Sequence, residues 1–487
     1  MPPLKLYDAI YTTLPIFAQN LVCSAAGYAR FRSRFNAHFH RVLARWEETI
    51  HWPLERLLEL QRERLDELVR RARACVPYYR DLPEPSDARD PQKAIAETLS
   101  RIPPLEKREY GDQPEVFLAR DVARRRLLRG RTSGTTGTAL PLWNTPETLA
   151  EEYAVSWRMR RACGVPGPDA ANLTFNGNIV VPFRQLAPPF WRHSAYDHRT
   201  LFSIFHMTPA NLRSYTRAVR TLPAIYVEGY PSAIHLVALQ MLAEGDPLPP
   251  GRIQAVFTSS ESLLAFQRET IEMAFSAPIR DRYGVSEKVV SMTECEVGLL
   301  HVDMEFCIVE VEATEESEGR LSGALLCTGL SSHATPMFRY RIGDVGTLSK
   351  QPCPCGRAGP AFLQVDGRVE DYVLTPDGRL IGRVDHIFKA QLEVAEAQIV
   401  QESAASVRVL LVPRASYSSA SERQLLKEMR ARLGNEIAIE VKLVEEIPRE
   451  PNGKFRAVKS RVGRIERLHP AYAWTRKPVV AAPGGRS

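Results

Sequence analysis

The sequence has no long apolar run and no internal repeat. No stretch approaches the roughly 20 consecutive apolar residues that a membrane-spanning helix requires. The most apolar part of the N-terminus, Leu14 to Ala26, contains Gln19 and Asn20 and lacks a basic start, which argues against a signal peptide. We therefore expect a cytoplasmic protein without a transmembrane segment.

Three further features that the sequence lacks argue against particular kinds of protein. The eight cysteines are spread through 487 residues, so a disulfide framework is not expected. The Walker pattern GxxxxGK[ST] is missing, which argues against a P-loop nucleotide site. No basic and aromatic stripe accompanies the net charge of +7, so we expect no nucleic-acid partner.

The composition is that of a folded protein with several domains. Hydrophobic residues make up 44% and charged residues 25%, both average values, and 487 residues predict roughly two to four domains. The small excess of 64 basic over 57 acidic residues suits an enzyme with anionic substrates. The densest basic run, Arg124 to Arg131, precedes a glycine-rich loop and is either part of a ligand site or a solvated segment.

The apolar pattern predicts an α/β fold. Residues 36 to about 75 are predicted to be helical with a break at Pro53, and Leu82 to Pro91 is predicted to be a loop. From about residue 125 to 350, β-rich runs alternate with amphipathic helices, as a parallel sheet built from βαβ units requires. The predicted strands include Ala224 to Val227, Gln254 to Thr258 and Ile279 to Arg282. The predicted helices include Ala210 to Arg220, Ser232 to Ala243 and Ser262 to Ala274. Phe306 to Val311 and Gly323 to Thr328 are expected to pair as antiparallel strands.

After Asp371 the pattern changes to that of a small α+β domain. A hairpin turning at Asp377-Gly378 should lead into a helix around Val384 to Lys389. Strands at Ala397 to Glu402, Val407 to Val412 and Ile437 to Leu443 and a helix at Ser421 to Leu433 are then expected. We predict a large N-terminal domain, residues 1–371, with a helical segment over about 1–100. A small C-terminal lid domain, residues 372–487, should end in a frayed tail from Val479 to Ser487.

Two segments carry residue types suited to a nucleotide and its metal. The loop Thr132 to Gly137 combines two glycines with several hydroxyls, and its N–H groups would surround phosphate oxygens. Taken alone, this loop is equally compatible with an ordinary surface turn. Further along, Tyr283 offers a flat face for a base, and Glu287 offers a hard oxygen ligand for Mg²⁺ at a strand end.

Three later segments complete the set. In Tyr340 to Asp344, an aspartate beside a glycine would accept hydrogen bonds from a ribose diol. Asp366 to Asp371 lies at the change in composition, and Pro451 to Lys454 is a tight turn that presents one lysine. Each of the three, considered singly, is more typical of an ordinary turn.

The joint order of these segments resembles the adenylate-forming superfamily of acyl-CoA ligases, luciferases and nonribosomal adenylation domains. The ordered motifs are the hydroxyl-rich loop, YGxSE, YRxGD, GRxxD and PNGK. Within that superfamily the chain looks like the phenylacetate–CoA ligase branch and its CapK-like subgroup. The segments that carry this closer resemblance are LPIFAQN, ARACVPYYR, FSIFHMTPANLRSY, VEGYPSAIHLVA and FTSSESL. The resemblance covers nearly the whole chain.

The resemblance implies a role for each matching position. The residues implied to surround the nucleotide are Ser133, Gly134, Thr135, Thr136, Gly137, Ser260, Glu261, Tyr283, Gly284, Asp344 and Arg368. Among them, the hydroxyl residues of the loop would hold the phosphates, and Thr136 is also implied to be a catalytic residue. Tyr283 would stack on adenine. Asp344 and Arg368 would contact the ribose. Glu287 would hold Mg²⁺, Asp371 would be the hinge of the small domain, and Lys454 would reach the carboxylate and the α-phosphate.

The implied activity is ATP-dependent activation of a small carboxylic acid to an acyl-adenylate, with transfer to coenzyme A as the leading expectation. An amine, a sugar or a carrier-protein thiol remains an alternative acceptor, and a non-catalytic nucleotide-binding relative is the rival interpretation. One departure from the pattern is that Thr138 follows the loop where relatives commonly have a lysine. Arg131 is a candidate to supply the missing charge. The sequence specifies neither the acid nor the oligomeric state.

Two further groups of residues are candidates for a metal and a substrate site. Cys295 with His301, and Cys353 with Cys355, form two short turns whose four ligands match a closed structural Zn²⁺ site, which some relatives carry. The alternative is four unrelated reduced side chains. The substrate pocket is expected near Phe205, His206 and Tyr230, where aromatic residues suit a cyclic or aromatic acid. A histidine satisfied within the core is the competing explanation for His206.

Overall fold

The computed structural model describes residues 10–131, 140–261, 263, 265–317, 319–366, 373–376, 380–381, 393–413, 416–448, 458–460 and 462. Several predictions lie outside these residues. They concern the helix Val384 to Lys389, the turn Asp377-Gly378, the tail Val479 to Ser487 and the loop residues from Thr132 to Ala139. Within the described part of the chain, no helix combines the length and apolarity needed to cross a lipid bilayer.

The N-terminal part is helical. Its helices are α1 (Ile16–Arg34), α2 (Ala37–Thr49), α3 (Leu54–Cys75), α4 (Pro91–Ser100) and α5 (Lys107–Asp112). The Asn36 side chain accepts a hydrogen bond from the Phe39 amide at 3.1 Å, which caps α2. Pro53 immediately precedes α3, so the predicted break at this proline is confirmed. The predicted loop before Pro91 is also present.

A sheet of twelve strands forms the centre of the molecule. Two strands form a separate antiparallel pair, β1 (Leu128–Arg131) and β2 (Pro141–Asn144). The twelve strands of the large sheet are β3 (Asn172–Asn176), β4 (Trp191–Ser194), β5 (Arg199–Ser203), β6 (Tyr226–Gly229), β7 (Ala255–Ser259), β8 (Ile279–Gly284), β9 (Ser291–Glu294), β10 (Leu300–Val302), β11 (Cys307–Ser317), β12 (Arg320–Gly329), β13 (Tyr340–Ser349) and β14 (Ala361–Asp366). The strand order is β11-β12-β13-β14-β10-β9-β8-β7-β6-β3-β5-β4.

The sheet has a parallel and an antiparallel part. Strands β5, β3, β6, β7 and β8 run parallel in that spatial order, whereas β9 to β14 pair antiparallel. The predicted parallel α/β segment is therefore confirmed. The expected antiparallel pair is confirmed as β11 and β12, with Ile308 opposite Thr328. The two parts meet where β8 pairs with β9.

Helices cover both faces of the parallel strands, because side chains alternate along each strand. The helices here are α6 (Pro146–Ala162), α7 (Pro209–Thr221), α8 (Pro231–Ala243) and α9 (Ala265–Phe275). Val227 and Val256 pack with α7, α8 and α9, whereas the neighbouring Tyr226 and Phe257 face a second core shared with α2, α3 and α6. This layering buries both faces of the parallel strands, as such sheets require.

The C-terminal residues form a separate small sheet. It contains β17 (Val394–Ser403), β18 (Ser406–Pro413), β19 (Ala438–Leu443) and β20 (Val458–Ser460), in the order β19-β18-β17-β20. Helix α10 (Ser419–Leu433) packs Leu425 and Met429 against it, and the short pair β15 (Val373–Leu374) and β16 (Leu380–Ile381) adjoins this core. The α+β pattern expected after Asp371 is thus present. The division at residue 371 itself lies outside the described residues and stays a prediction.

Candidate functional site

Tyr283 and Asp344 meet at the junction of the two parts of the sheet. Tyr283 stands near the end of β8, and Asp344 lies on β13. The Tyr283 hydroxyl donates a hydrogen bond to Asp344 Oδ2 at 2.6 Å. Burial, and then the adjacent Asp344 carboxylate, raise the pKa of Tyr283, so this hydroxyl stays protonated near neutral pH. Two motifs that are 61 residues apart in the chain therefore form one cluster.

Glu287 lies beside the same cluster. The Tyr340 hydroxyl donates to Glu287 Oε1 at 3.4 Å, and Tyr340 is buried. Burial, and then the charge of Glu287, raise the pKa of Tyr110. The Tyr110 hydroxyl in turn donates to the Pro141 carbonyl oxygen at 2.6 Å.

This contact fixes the start of β2. Arg131, at the end of β1, pairs with Pro141, at the start of β2. Because Tyr110 binds Pro141 and also lies in the field of Glu287, this end of the β1–β2 pair lies close to Glu287.

Ser260 and Glu261 follow the C-terminus of β7. Ser260 has a φ of 73°, a left-handed conformation that few non-glycine residues adopt outside specialised turns. Glu261 accepts a hydrogen bond from the Ser232 amide at 3.2 Å, at the start of α8. A carboxylate at a helix N-terminus is electrostatically favourable. Gly284, on the adjacent strand β8, ends that strand next to Tyr283.

Several residues implied by the resemblance lie outside the described part of the chain. They are Ser133, Gly134, Thr135, Thr136, Gly137, Arg368, Asp371 and Lys454. Their roles stay predictions.

Cys295, His301, Cys353 and Cys355 come together as one cluster. Their potential ligand atoms all lie within 4.8 Å of one another. Cys295 Sγ lies 3.7 Å from Cys353 Sγ, and Cys355 Sγ lies 3.3 Å from His301 Nε2. With zinc–sulfur bonds of about 2.3 Å, tetrahedral coordination places two sulfur ligands roughly 3.8 Å apart. The four side chains therefore have the spacing of a tetrahedral metal site.

Two tight turns shape this cluster. The Gly298 amide donates to the Cys295 carbonyl at 3.1 Å, and the Gly356 amide donates to the Cys353 carbonyl at 3.1 Å. Both glycines have positive φ, which the turns require. Burial, and then the charge of Arg357, lower the pKa of His301 to about 4, so its imidazole is neutral and able to bind a metal.

A cavity of about 530 Å³ is lined by Arg282 of β8, the residue before Tyr283. Ser259, Ser260 and Tyr230 also line it. Five arginines and two acidic residues also line it: Arg30, Arg34, Arg160, Arg199, Arg282, Asp197 and Glu228. These charged residues were not anticipated from the sequence. The sequence feature that could have identified them is a charged residue inside an otherwise apolar strand, as at Arg199 and Glu228.

The three residues expected at a substrate pocket divide between two places. Tyr230 lines the cavity, whereas Phe205 and His206 line a separate depression beside α10. His206 is buried, its Nδ1 lies 2.8 Å from the Ser203 hydroxyl, and its ring stacks on Phe190 with centroids 5.2 Å apart. These contacts favour the explanation of His206 as a satisfied core histidine.

The fold of this chain is similar to that of acyl-adenylate-forming ligases. A crystal structure of 2-hydroxyisobutyryl-CoA ligase, in complex with an acyl-AMP and CoA, superposes with a TM-score of 0.55 at 17% identity. The alignment covers 86% of this chain and 92% of the ligase. The predicted fold class, an adenylate-forming α/β fold with an additional α+β part, is confirmed.

Sequence relatives give a closer assignment. The CapK C-terminal domain family matches residues 373–461. Protein CapK of Staphylococcus aureus is 24% identical over 93% of this chain and 98% of its own length. Indoleacetate–lysine synthetase of Pseudomonas savastanoi is 26% identical over 58% of this chain and 67% of its own length. Phenylacetate-coenzyme A ligase of Thermus thermophilus is 24% identical over 66% and 72% respectively. The predicted resemblance to the CapK-like and phenylacetate–CoA ligase group is confirmed.

Proposed function

We propose that this protein is a ligase that activates a carboxylic acid with MgATP and passes the acyl group to an acceptor. The observation that carries the proposal is the hydrogen bond from Tyr283 to Asp344, because it joins two of the ordered motifs at the C-terminal end of a parallel strand. Glu287 lies beside Tyr340, and Tyr110 joins the start of β2 to the same region. The activities named for the relatives support the same reaction class.

In the first step the substrate carboxylate attacks the α-phosphorus of ATP, and the bond to pyrophosphate breaks to give acyl-AMP. Tyr283 would stack on adenine, and Asp344, with Arg368, would bind the ribose. Loop residues Thr132 to Gly137 would donate hydrogen bonds to phosphate oxygens. Lys454 would stabilise the charge that develops during attack. When bound, Mg²⁺ neutralises phosphate charge, and Glu287 is the residue we propose to hold it.

In the second step the acceptor attacks the acyl carbonyl carbon and AMP leaves. The small C-terminal domain would turn about Asp371 between the two steps. Coenzyme A is our proposed acceptor, since a phenylacetate-coenzyme A ligase is among the relatives. An amine acceptor is the second candidate, because indoleacetate–lysine synthetase is also a relative. Since ATP is a cytoplasmic co-substrate, we place the reaction in the cytoplasm.

The proposal is tested by ATP–pyrophosphate exchange over a panel of carboxylic acids, followed by assays with coenzyme A and lysine. Lys454→Ala should abolish exchange while ATP binding, measured by calorimetry, stays close to that of the wild type. Lys442→Ala is the matched control, because Lys442 lies on exposed β19 of the small sheet. Unchanged exchange in Lys454→Ala would remove Lys454 from the mechanism. No exchange with any acid would refute the proposed activity.

We also propose that the cluster of Cys295, His301, Cys353 and Cys355 holds a structural Zn²⁺ ion. Support comes from the spacing of its ligand atoms and from the neutral state of His301. The ion would tie the β9–β10 turn to the turn before β14. The purified protein should contain one zinc per chain by mass spectrometry of metals.

Replacing one ligand tests this site. Cys353→Ser should lower both zinc content and thermal stability, because structural zinc contributes directly to folding free energy. Cys163→Ser is the control, since Cys163 is a partly buried cysteine outside the cluster. A protein without stoichiometric zinc, or a Cys353→Ser variant with wild-type stability, would contradict the proposal.

A further inference from the structure

The cavity beside β8 carries more positive than negative charge. Arg30 pairs with Asp197 at 2.9 Å. Glu228 faces two arginines at once, since Arg160 lies 2.9 Å away and Arg199 also pairs with it. Burial alone would raise the pKa of Glu228, but Arg199 and Arg160 outweigh it and lower the pKa to about 2. Both carboxylates of the lining are therefore already paired with neighbouring arginines.

Arg34 is a cation of the lining that pairs with neither of these two carboxylates. Its guanidinium carbon lies 4.6 Å from the centre of the Tyr153 ring. Within the described residues it has no hydrogen bond or ion pair with a carboxylate. Burial lowers the pKa of Arg34, and Arg30 and Arg199 lower it further, whereas Tyr153 and Glu152 partly offset these effects. A guanidinium stays charged in proteins, so Arg34 is a partly buried cation that an anionic ligand would stabilise.

The cavity extends across several strands of the sheet. Arg199 is on β5, which is separated from β8 by β7, β6 and β3. Ser259 and Ser260, which also line the cavity, lie at the C-terminus of β7, the strand next to that of Tyr283. Arg34, on α1, lines the same cavity.

The aromatic part of the lining suits a carbon skeleton. Phe31, Phe35, Tyr153 and Trp157 line the cavity. A volume of about 530 Å³ accommodates a small organic acid with room for water. A bound acid would thus contact aromatic rings through its carbon skeleton and arginines through its charged groups.

We propose that the acid activated by this protein carries a second anionic group, a carboxylate or a phosphate, which Arg34 binds in the cavity. This inference rests on the proposed ligase function, and it adds a charged group to the cyclic or aromatic acid expected from the sequence. The carboxylate to be activated would lie near Ser259 and Ser260, because these residues adjoin the strand that carries Tyr283. Arg160 and Arg199 share the single carboxylate of Glu228, so this group adds a net positive charge to the cavity.

Binding of matched acids to the full chain tests the proposal without requiring turnover. The probes are benzoate, terephthalate, its monomethyl ester and 4-phosphonobenzoate, measured by calorimetry. The ester keeps the shape of terephthalate and removes the second charge. We expect terephthalate or 4-phosphonobenzoate to bind about 10- to 100-fold more tightly than benzoate or the ester, the range of a charge-assisted hydrogen bond. The better of the two dianions identifies the second group as carboxylate or phosphate.

Variants assign the effect to Arg34. Arg34→Gln should remove the preference, so that the dianion binds no more tightly than its matched monoanion. Arg32→Gln is the matched control, because Arg32 is an exposed arginine on the same helix. Circular dichroism and thermal melting check that the variants fold. If neither dianion gains affinity over its matched monoanion in the wild type, or if the gain persists in Arg34→Gln, the proposal is wrong.

ATP–pyrophosphate exchange with the same four acids separates this inference from the proposed function. An Arg34-dependent preference without exchange for any acid would refute the ligase activity and leave an anion site in the cavity. Exchange with benzoate, together with no gain from a second anionic group, would refute the inference and leave the ligase activity standing.

Discussion

The hydrogen bond between Tyr283 and Asp344 allows the nucleotide site to be tested group by group. The Tyr283 hydroxyl uses one oxygen of Asp344, so the other oxygen is available to the ribose hydroxyls. The Tyr283 ring and its hydroxyl would therefore act differently. The ring would stack on adenine, and the hydroxyl would orient Asp344. Tyr283→Phe removes the hydroxyl alone, Tyr283→Leu removes the aromatic plane, and Asp344→Asn removes the charge.

These three changes should weaken ATP binding by different amounts. Loss of base stacking in Tyr283→Leu costs about 1–3 kcal/mol, or roughly 5- to 150-fold in affinity. Loss of the charged acceptor in Asp344→Asn costs about 1.5–3 kcal/mol, roughly 10- to 150-fold. Tyr283→Phe keeps both the ring and the carboxylate, so we expect less than about a five-fold change, the equivalent of about 1 kcal/mol.

Calorimetric titration with AMP and with 2′,3′-dideoxy-AMP measures these effects. The wild type should bind AMP more tightly than the dideoxy analogue, and Asp344→Asn should lose most of that difference. Asp121→Asn is the control, because Asp121 pairs with Arg71 at 2.8 Å on an exposed part of the molecule. Equal losses in Tyr283→Phe and Tyr283→Leu would refute stacking. An undiminished preference for the ribose diol in Asp344→Asn would refute the role of Asp344.

Two further predictions concern stability. Burial alone would raise the pKa of Glu151, but His38, Arg64 and Ser331 lower it to about 2. The Glu151 carboxylate therefore stabilises the folded protein fully above about pH 4.5, and this contribution is lost as the pH falls toward 2. Glu151→Gln should therefore lower the free energy of unfolding by about 3 kcal/mol at pH 7 and by progressively less below pH 4.5. Urea unfolding curves that differ from those of the wild type by the same amount at every pH would contradict this. Gly229 has a φ of 154°, and a Cβ there would overlap the Phe175 carbonyl oxygen. Gly229→Ala should lower stability by about 2 kcal/mol or more, whereas Gly245→Ala, where open space surrounds the Cβ position, carries only the backbone cost.

Local sequence patterns predicted the main elements of the fold because each element carries its own signal. The predicted strand from Gln254 to Thr258 is found at Ala255–Ser259, and the predicted helix from Ala210 to Arg220 is found at Pro209–Thr221. Because the buried face of a helix or strand determines the spacing of its apolar residues, that spacing can be read within a single segment of sequence. The order in which the strands pair leaves no such local signal. The placement of β14 beside β10 is an example.

The metal cluster and the cavity differ in how much the sequence revealed. Cys353 and Cys355 are a local pair, and Cys295 with His301 is another, so two turns could be recognised and then combined. The cavity draws Arg34 from α1, Arg199 from β5 and Glu228 from β6. Each of these residues looks like an ordinary charged residue in its own segment. Only the sheet order brings them together, so the sequence led to an expectation of an aromatic acid.

The strand β9 connects the two clusters that were predicted separately. Glu287 precedes β9 by a few residues, and Cys295 follows its last residue, Glu294. Four residues of strand span roughly 13 Å, so the cysteine cluster stands at the opposite end of a short, buried strand from Glu287. Thr293 on this strand also donates to the buried Asp303 at 2.7 Å. A metal ion at Cys295 would therefore hold β9 in place without contacting the nucleotide, and its removal should affect stability before it affects ATP affinity.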